Sequence, residues 1–479
     1  MSAARFNGRM TPARRAAVLG TILVLGAILR LEGLGRESFW HDESWSWALA
    51  RGDAGRLLHH LRHNDAHPPL YYLLAAAAKP LGSSEAAIRL VSALAGIASI
   101  PLLFRLGSRL YGGAAGALAA LLLALSPAHV AFSQEARCYS LLLLLTLGSL
   151  NLLFDLRDGP HRGKWAAFAA LSAAIMLTHY LGSFFLLAEA LGAIFLRRAR
   201  PGFLKEFLLA SAVAFVLFLP WLPTFWAHVR YIAGSFWIPP VSLERVWMAL
   251  FELVGHIHYT DNRTKVLTFA PFFALALVPL LRAPRREDAA LLAALFAPIA
   301  GEILVSLLVR PIFYTRTFLY VLPPLFALAA AGLFRLPPRA HAAGCAALAG
   351  LMLPCLLFAR TVPEKEGWRD AVAILERGAG PDDRIVVAPG FAGVNVEYYA
   401  SRGAAPWLDQ MRLVDSGTLD RPGLPKERVL REVLDSAAGV WLVLRYGQDE
   451  GWFAALEGAF ERRSAWKSRG ADVVYFRRR

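Results

Sequence analysis

Apolar runs of membrane-crossing length recur through the first three quarters of this chain, and nothing constrains its fold more. A helical crossing needs about 20 apolar residues, roughly 17 at the short end. Runs of that kind sit near 14–34, 86–107, 113–128, 138–156, 165–178, 181–196, 204–224, 264–281, 289–309, 315–334 and 340–358. Of 479 residues, 56% are hydrophobic and only 18% charged, and the mean hydropathy is +0.44. An ordinary soluble domain is excluded. The chain reads as a mainly α, polytopic membrane protein with about 11 transmembrane helices.

The net charge of +15 comes from short basic clusters between the apolar runs, not from a basic tail or an aromatic-basic RNA signature. That distribution argues against nucleic acid and follows the positive-inside pattern. Charge also resolves 165–196, whose roughly 32 residues would make a helix of about 48 Å, too long for one crossing. "RDGPHRGK" before it and "RRARPGFLK" after it are both basic, so two short crossings turn at "THYLG". The basic N-terminus precedes a first span with no small-residue cleavage site after it, which reads as a retained span. The N-terminus then lies inside and the C-terminus outside. The outer face carries a first loop at about 35–85, 129–137, the turn at 178–182, roughly 225–263, 310–315 and everything after about 360. "PPLYYLLAAAAKPL" at 68–81 is short for a span and reads as an interfacial helix with Tyr71 and Tyr72 at headgroup level.

Past the last span the pattern changes. Helical periodicity in "WRDAVAILERG" alternates with strand-like runs "RIVVAP", "GVWLVLRY" and "DVVYFRR". The expected organisation is a membrane domain over 1–360 and a small extracytoplasmic α/β domain over 361–479. Cys138, Cys345 and Cys355 show no metal-ligand spacing.

Nearly every polar cluster with chemical potential falls on the outer face. "SFWHDESWSWA" places Asp42 and Glu43 among four aromatics just after the first span. Carboxylates favour a helix N-terminus, so the pair alone serves either capping or chemistry. In "HNDAHPPLYY" the rigid Pro68-Pro69 aims His67 toward the membrane surface, where a cation meets lipid phosphate. "SQEARCYS" sets Glu135, Arg137 and Tyr139 at the mouth of a span. Arg310 and Arg316 bracket "PIFYT" with Tyr314 at another, and His179-Tyr180 turn at a third. Each is ordinary alone, since charges at helix ends usually snorkel. Together they form a ring of cations and carboxylates on one face of a bundle. His256 and His258 have metal-like spacing without a carboxylate, and a solvated loop is the plainer reading. Glu189 and Glu302 lie inside spans, where hydrogen bonding to a neighbouring helix is the default.

The order "WHDESWS", "HPPLYYLL", "RLVSALAGIASIPLLFRLGSRLYGG", "SPAHVAFSQEARCYS", "THYLGSFFLL", "FWIPP" and "YTRTFLYVLPP" resembles the GT-C glycosyltransferases that use polyprenyl-phosphate sugars. The branch it is similar to is the bacterial one related to protein O-mannosyltransferases and the lipid A aminoarabinose transferase. The resemblance runs over most of 14–358. One departure is Thr317, which follows Arg316 where many relatives have Tyr. The resemblance implies an enzyme of the cell inner membrane that moves a sugar from a lipid-linked phosphosugar to an acceptor hydroxyl on the non-cytoplasmic face. It implies Asp42 as catalytic base, Glu43 as a positioning neighbour, and His67 where a cation meets the donor phosphate.

Displacement at an anomeric carbon with phosphate leaving needs a base on the acceptor hydroxyl and cations on the leaving charge. Asp42 is the expected base of an inverting reaction. Arg137, His67 and Arg316 are the expected phosphate ligands, with Glu135, Tyr139, His179, Tyr180 and Tyr314 as substrate contacts. No cofactor is implied, and no metal is expected where these cations do the neutralising. The expected partners are a polyprenyl-phosphate sugar, a lipid, glycan or protein acceptor, and the bilayer. The alternative is a polytopic transporter or lipid flippase, which would place charges near the midplane of broken, repeat-related helices. A scaffold protein would leave the acidic pair without a purpose.

Overall fold

The computed structural model describes residues 10–159, 161–234, 238–255, 262–282, 284–403, 405–449 and 451–479. The chain divides into two compact units. The first is Met1–Glu32, Leu58–Leu74 and Arg89–Val362; the second is Gly33–Leu57, Ala75–Ile88 and Pro363–Arg479.

The helices before the C-terminal region are α1 (Pro12–Leu31), α2 (His41–Arg51), α3 (Ala54–His63), α4 (Leu70–Ala77), α5 (Glu85–Tyr111), α6 (Gly113–Leu125), α7 (Pro127–Ser133), α8 (Tyr139–Asp158) and α9 (Arg162–Thr178). They continue with α10 (Ser183–Leu196), α11 (Phe203–Phe218), α12 (Leu222–Gly234), α13 (Leu243–Gly255), α14 (Asn262–Leu281), α15 (Arg286–Leu308), α16 (Leu322–Phe334) and α17 (His341–Thr361). Every run among the about 11 expected to cross is helical. Among the described residues seven helices are long and apolar enough to span, or eight if the bent pair α6–α7 counts as one. The difference is one of length: α9 has 17 residues, about 25 Å at 1.5 Å each, and Tyr180–Leu196 and Thr268–Leu281 are shorter apolar helices.

Within the first unit α5 and α6 pass closely because both carry glycine at the crossing. A Cβ on Gly107 would stand 2.8 Å from the Gly116 Cα. The 57° break between α6 and α7 positions the candidate site. Pro127 ends α6 and starts α7, whose N-terminus is capped by the Ser126 side chain accepting from the His129 N–H at 3.3 Å. The carbonyls left over at the end of α6 need donors. Arg30, fully buried, supplies them: its guanidinium donates to the Leu123 and Ala124 carbonyls at 2.9 and 3.1 Å and to His129 Nδ1 at 2.9 Å. A charge in the first span is thereby spent on holding a broken helix.

The second unit contains a five-stranded sheet in the order β2-β1-β3-β5-β4. Its strands are β1 (Asp383–Ala388), β2 (Met411–Leu413), β3 (Gly439–Arg445), β4 (Phe460–Trp466) and β5 (Ala471–Arg478). β1 runs parallel to β2 and β3, whereas β5 is antiparallel to β3 and β4. The helices there are α18 (Trp368–Gly378), α19 (Gly393–Ala400), α20 (Lys426–Ser436) and α21 (Trp452–Leu456). α18 buries Trp368, Ala371, Val372 and Leu375, the spacing of one helical face. α20 buries Val429 and Val433 in a core shared with Val386, Val440, Leu442 and Phe476. The strand edge formed by β4, rich in charge, leaves three of its seven residues in succession exposed after Phe460.

Candidate active site

The cation-rich group belongs to the first unit. Between α7 and α8 the chain leaves the helix for residues 134–138, and Gln134 anchors the break by donating to the Leu29, Arg30 and Glu32 carbonyls. This break presents Glu135, Arg137 and, at the start of α8, Tyr139. Arg137 is buried, only 3% exposed. Its Nη1 donates to the Tyr72 hydroxyl at 2.9 Å and its Nη2 to His67 Nε2 at 2.8 Å. A guanidinium only donates, so Nε2 of His67 must accept. The ring proton therefore sits on Nδ1, which donates to Asp65 Oδ1 at 2.6 Å. Asp65 also accepts the N–H groups of Ala66 and His67 at 2.6 and 3.0 Å, a tight turn that fixes its carboxylate. Asp65, His67, Arg137 and Tyr72 thus form one hydrogen-bonded chain.

His67 has both ring nitrogens engaged, Nδ1 on Asp65 and Nε2 on Arg137. Tyr71 and Tyr72, expected to face headgroups, are enclosed by protein. They are 1% and 3% exposed; Tyr71 bonds Ser92 at 3.1 Å and Tyr72 accepts from Arg137. A short apolar helix with two tyrosines suits an interface, but here the buried hydroxyls found protein partners instead. Ser92 also donates to the Arg137 carbonyl at 2.9 Å.

His179 lies with its ring centroid 6.4 Å from that of His67 and 6.1 Å from that of Tyr139. Its Nδ1 accepts the Leu181 N–H at 3.3 Å. Burial first, then the neighbouring His67, Arg137 and Arg316, push its imidazolium down to about 3. The folded protein refuses a proton that the unfolded chain accepts near pH 6.5. The stabilisation is complete above pH 6.5 and is lost as the pH falls toward about 3. Thermal melting is expected to drop between pH 7.5 and 5, and to drop less in His179→Gln.

Arg316 sits in a tight helical stretch, Thr315–Val321, with its guanidinium 5.0 Å from the Tyr314 ring centre and 5.7 Å from that of Tyr139. Such stacking suits a planar guanidinium. Thr317, the departure noted above, has a local reason: its hydroxyl lies 2.7 Å from Glu302 Oε2 and 2.6 Å from the Tyr314 carbonyl. Glu189 meets Ser149 at 3.0 Å. Tyr180 points elsewhere, donating to His228 Nδ1 at 2.8 Å and accepting from Trp221 Nε1 at 2.9 Å. Phe236, Trp237, His256 and His258 lie outside the described residues. Among the described residues no three His, Cys, Asp or Glu side chains gather as a metal set.

The acidic pair belongs to the second unit, in the first turn of α2. The two carboxylates differ sharply. Glu43 is fully buried and paired with Lys365 Nζ at 2.9 Å, whereas Asp42 is partly exposed. Around them Glu37 accepts the Lys365 N–H at 2.9 Å, and the Phe39 N–H donates to the Tyr399 hydroxyl at 2.7 Å. Glu85 holds Arg369 and Arg402 at 2.6 Å each. Lys365→Met deprives a buried carboxylate of its ammonium and should cost about 3 kcal/mol, read as a lower melting temperature. Adding Glu43→Gln should recover most of it.

Sequence reasoning gave no site role to Asp65, Tyr72 or Lys365. The spacing Asp-x-His before Pro-Pro is the one local signal among them.

The model of the family described as dolichyl-phosphate-mannose-protein mannosyltransferase matches residues 66–224. No curated protein matches the whole sequence search. Two crystal structures of ArnT from Cupriavidus metallidurans are similar in fold at 14% identity. The apo form has a TM-score of 0.64 over 96% of this chain and 97% of that one. The form bound to undecaprenyl phosphate has a TM-score of 0.66 over 96% and 98%. The arabinofuranosyltransferase AftD from Mycobacteria is similar at a TM-score of 0.53 and 17% identity, covering 98% of this chain and 40% of that one. The fold is that of the GT-C glycosyltransferases, a multi-pass membrane architecture.

Proposed function

We propose that this protein is a membrane glycosyltransferase that takes a sugar from a polyprenyl-phosphate donor and passes it to an acceptor hydroxyl. The observation that carries the reading is Arg137, a buried guanidinium held on two sides by Tyr72 and by the Asp65–His67 pair. The guanidinium is oriented before any ligand arrives, so a phosphate oxygen meets a cation whose direction is already fixed. The full-length likeness in fold to a protein crystallised with undecaprenyl phosphate supports the donor class.

The acceptor oxygen attacks the anomeric carbon, and the bond from that carbon to the phosphate oxygen breaks. The electron pair leaves on the phosphate, which passes from a singly charged diester to a doubly charged monoester. Arg137 and Arg316 meet that growing charge, and His67 keeps Arg137 in place. The acceptor proton goes to the Asp42 carboxylate, while Glu43, pinned by Lys365, fixes the first turn of α2. One displacement inverts the anomeric configuration. Glu135, Tyr139, His179 and Tyr314 are assigned to substrate contact, and Tyr180 to holding His228. The protein is placed in the inner membrane with its N-terminus inside and its C-terminal region outside, on the basic linkers.

The test is purified protein with a polyprenyl-phosphate sugar and an envelope extract as acceptor source. Release of polyprenyl phosphate with label appearing in a glycoconjugate is the expected result. Lipid movement across a vesicle wall without release would replace this reading with a flippase.

A further inference from the structure

In the second unit the chain runs from β1 to β2 on one side and returns to β3 on the other. The direction of winding reverses between β1 and β3. In open α/β sheets, ligands bind beyond the carboxyl ends of the strands at that reversal. Here its rims are Pro389–Phe391 after β1 and Arg445–Tyr446 at the end of β3. The Arg445 guanidinium lies 5.6 Å from the Phe391 ring centre and 5.2 Å from that of Tyr446. Glu366, 2% exposed, holds it flat by accepting from Nε and Nη2 at 3.0 and 2.7 Å. His41, the first residue of α2, packs edge-on against Phe391 at 4.9 Å. The next residue is Asp42.

Tyr446 is unusual in its backbone. Its φ is 53°, in the left-handed region that favours glycine or asparagine, and its side chain is 61% exposed. Arg445 stacks on its ring and Glu366 meets its hydroxyl, while the rest of the ring stands open at the rim. Strain of this kind at a rim is an observation to be explained by use.

We propose that this rim is a binding subsite for a sugar ring of the acceptor, which makes the acceptor of the proposed transfer a glycan. The inference rests on the transfer reading above and names its second substrate. Flat faces of Phe391, Tyr446 and Arg445 suit the C–H face of a pyranose, while Glu366, buried behind them with both oxygens engaged, serves only to hold Arg445. An acyl chain calls for an unbroken apolar trough, and here charged groups interrupt the aromatic ones. A polypeptide acceptor adding to the sheet would use an edge strand, and both rims lie on central strands.

The experiment uses the full chain in lipid nanodiscs, without donor, and saturation-transfer NMR with three probes: a soluble disaccharide such as maltose or lactose, a serine-containing peptide and a short-chain fatty acid. The expected result is saturation of disaccharide protons, reduced at least threefold in Tyr446→Gly and in Phe391→Ala and unchanged in Arg463→Ala, on the exposed edge strand β4. Tyr446→Gly should also raise the melting temperature, since glycine relaxes the backbone. A variant that is more stable yet binds less sugar separates use from structure. Disaccharide saturation indifferent to Tyr446, none at all, or Tyr446-dependent saturation of the peptide or fatty acid would overturn the proposal. None of these bears on polyprenyl phosphate release, which tests the transfer reading on its own.

Discussion

Asp42→Asn should leave the protein folded and its donor KM unchanged while lowering turnover by about 10³-fold. The change is isosteric and removes only the capacity to take a proton. Ser46 bonds the Asp42 backbone carbonyl at 3.0 Å, and the neighbouring Glu43–Lys365 pair is untouched. Initial rates of polyprenyl phosphate release at saturating donor measure the effect. Wild-type turnover in this variant would remove Asp42 from the chemistry, and an equal loss in Glu43→Gln without loss of stability would move the role by one residue.

Arg137→Ala should cut kcat/KM for the donor by about 10²–10³-fold, the scale of removing one donor aimed at developing charge. Arg137→Lys should recover little of it. An ammonium is a point charge on a flexible stem and cannot bond Tyr72 and His67 while presenting further hydrogens in a fixed plane. If the pair behind Arg137 positions it, Asp65→Asn should lose activity too, by about tenfold, and His67→Gln, whose amide oxygen still accepts from Arg137, should lose less than His67→Ala. Wild-type activity in all five variants would leave the buried cation as a structural device only.

How far each feature was legible depended on how local its cause is. The helix "WRDAVAILERG" and strands β1, β3 and β5 follow from apolar periodicity within a dozen residues, and the structure has them with nearly the expected bounds. β4 was not foreseen, because "FERRSAW" has the charge of an exposed edge and little alternation. The cation cluster was assembled in the sequence from charge and outer position alone, which grouped His67 with Arg137 but could not show that the two side chains bond directly. Arg137 reaches His67 across 70 residues of chain, and no periodicity reports such a pairing. Lys365 was invisible for the same reason: it looks like any lysine in "VPEKEGW", yet it neutralises a carboxylate 322 residues earlier. Tyr71 and Tyr72 show the converse, since amphipathic pattern cannot tell a hydroxyl at the lipid boundary from one bonded to a buried arginine.

The second unit is stitched from three stretches of chain, and this sets an order on biogenesis. Glu43 and Glu85 leave the ribosome long before Lys365, Arg369 and Arg402, which follow 322, 284 and 317 residues behind their respective acids. Throughout the insertion of the intervening helices, these acids wait with their countercharges still unsynthesised. A C-terminal fragment produced alone would lack α2 and the start of α5, and adding the missing segments in trans is the way to make it whole.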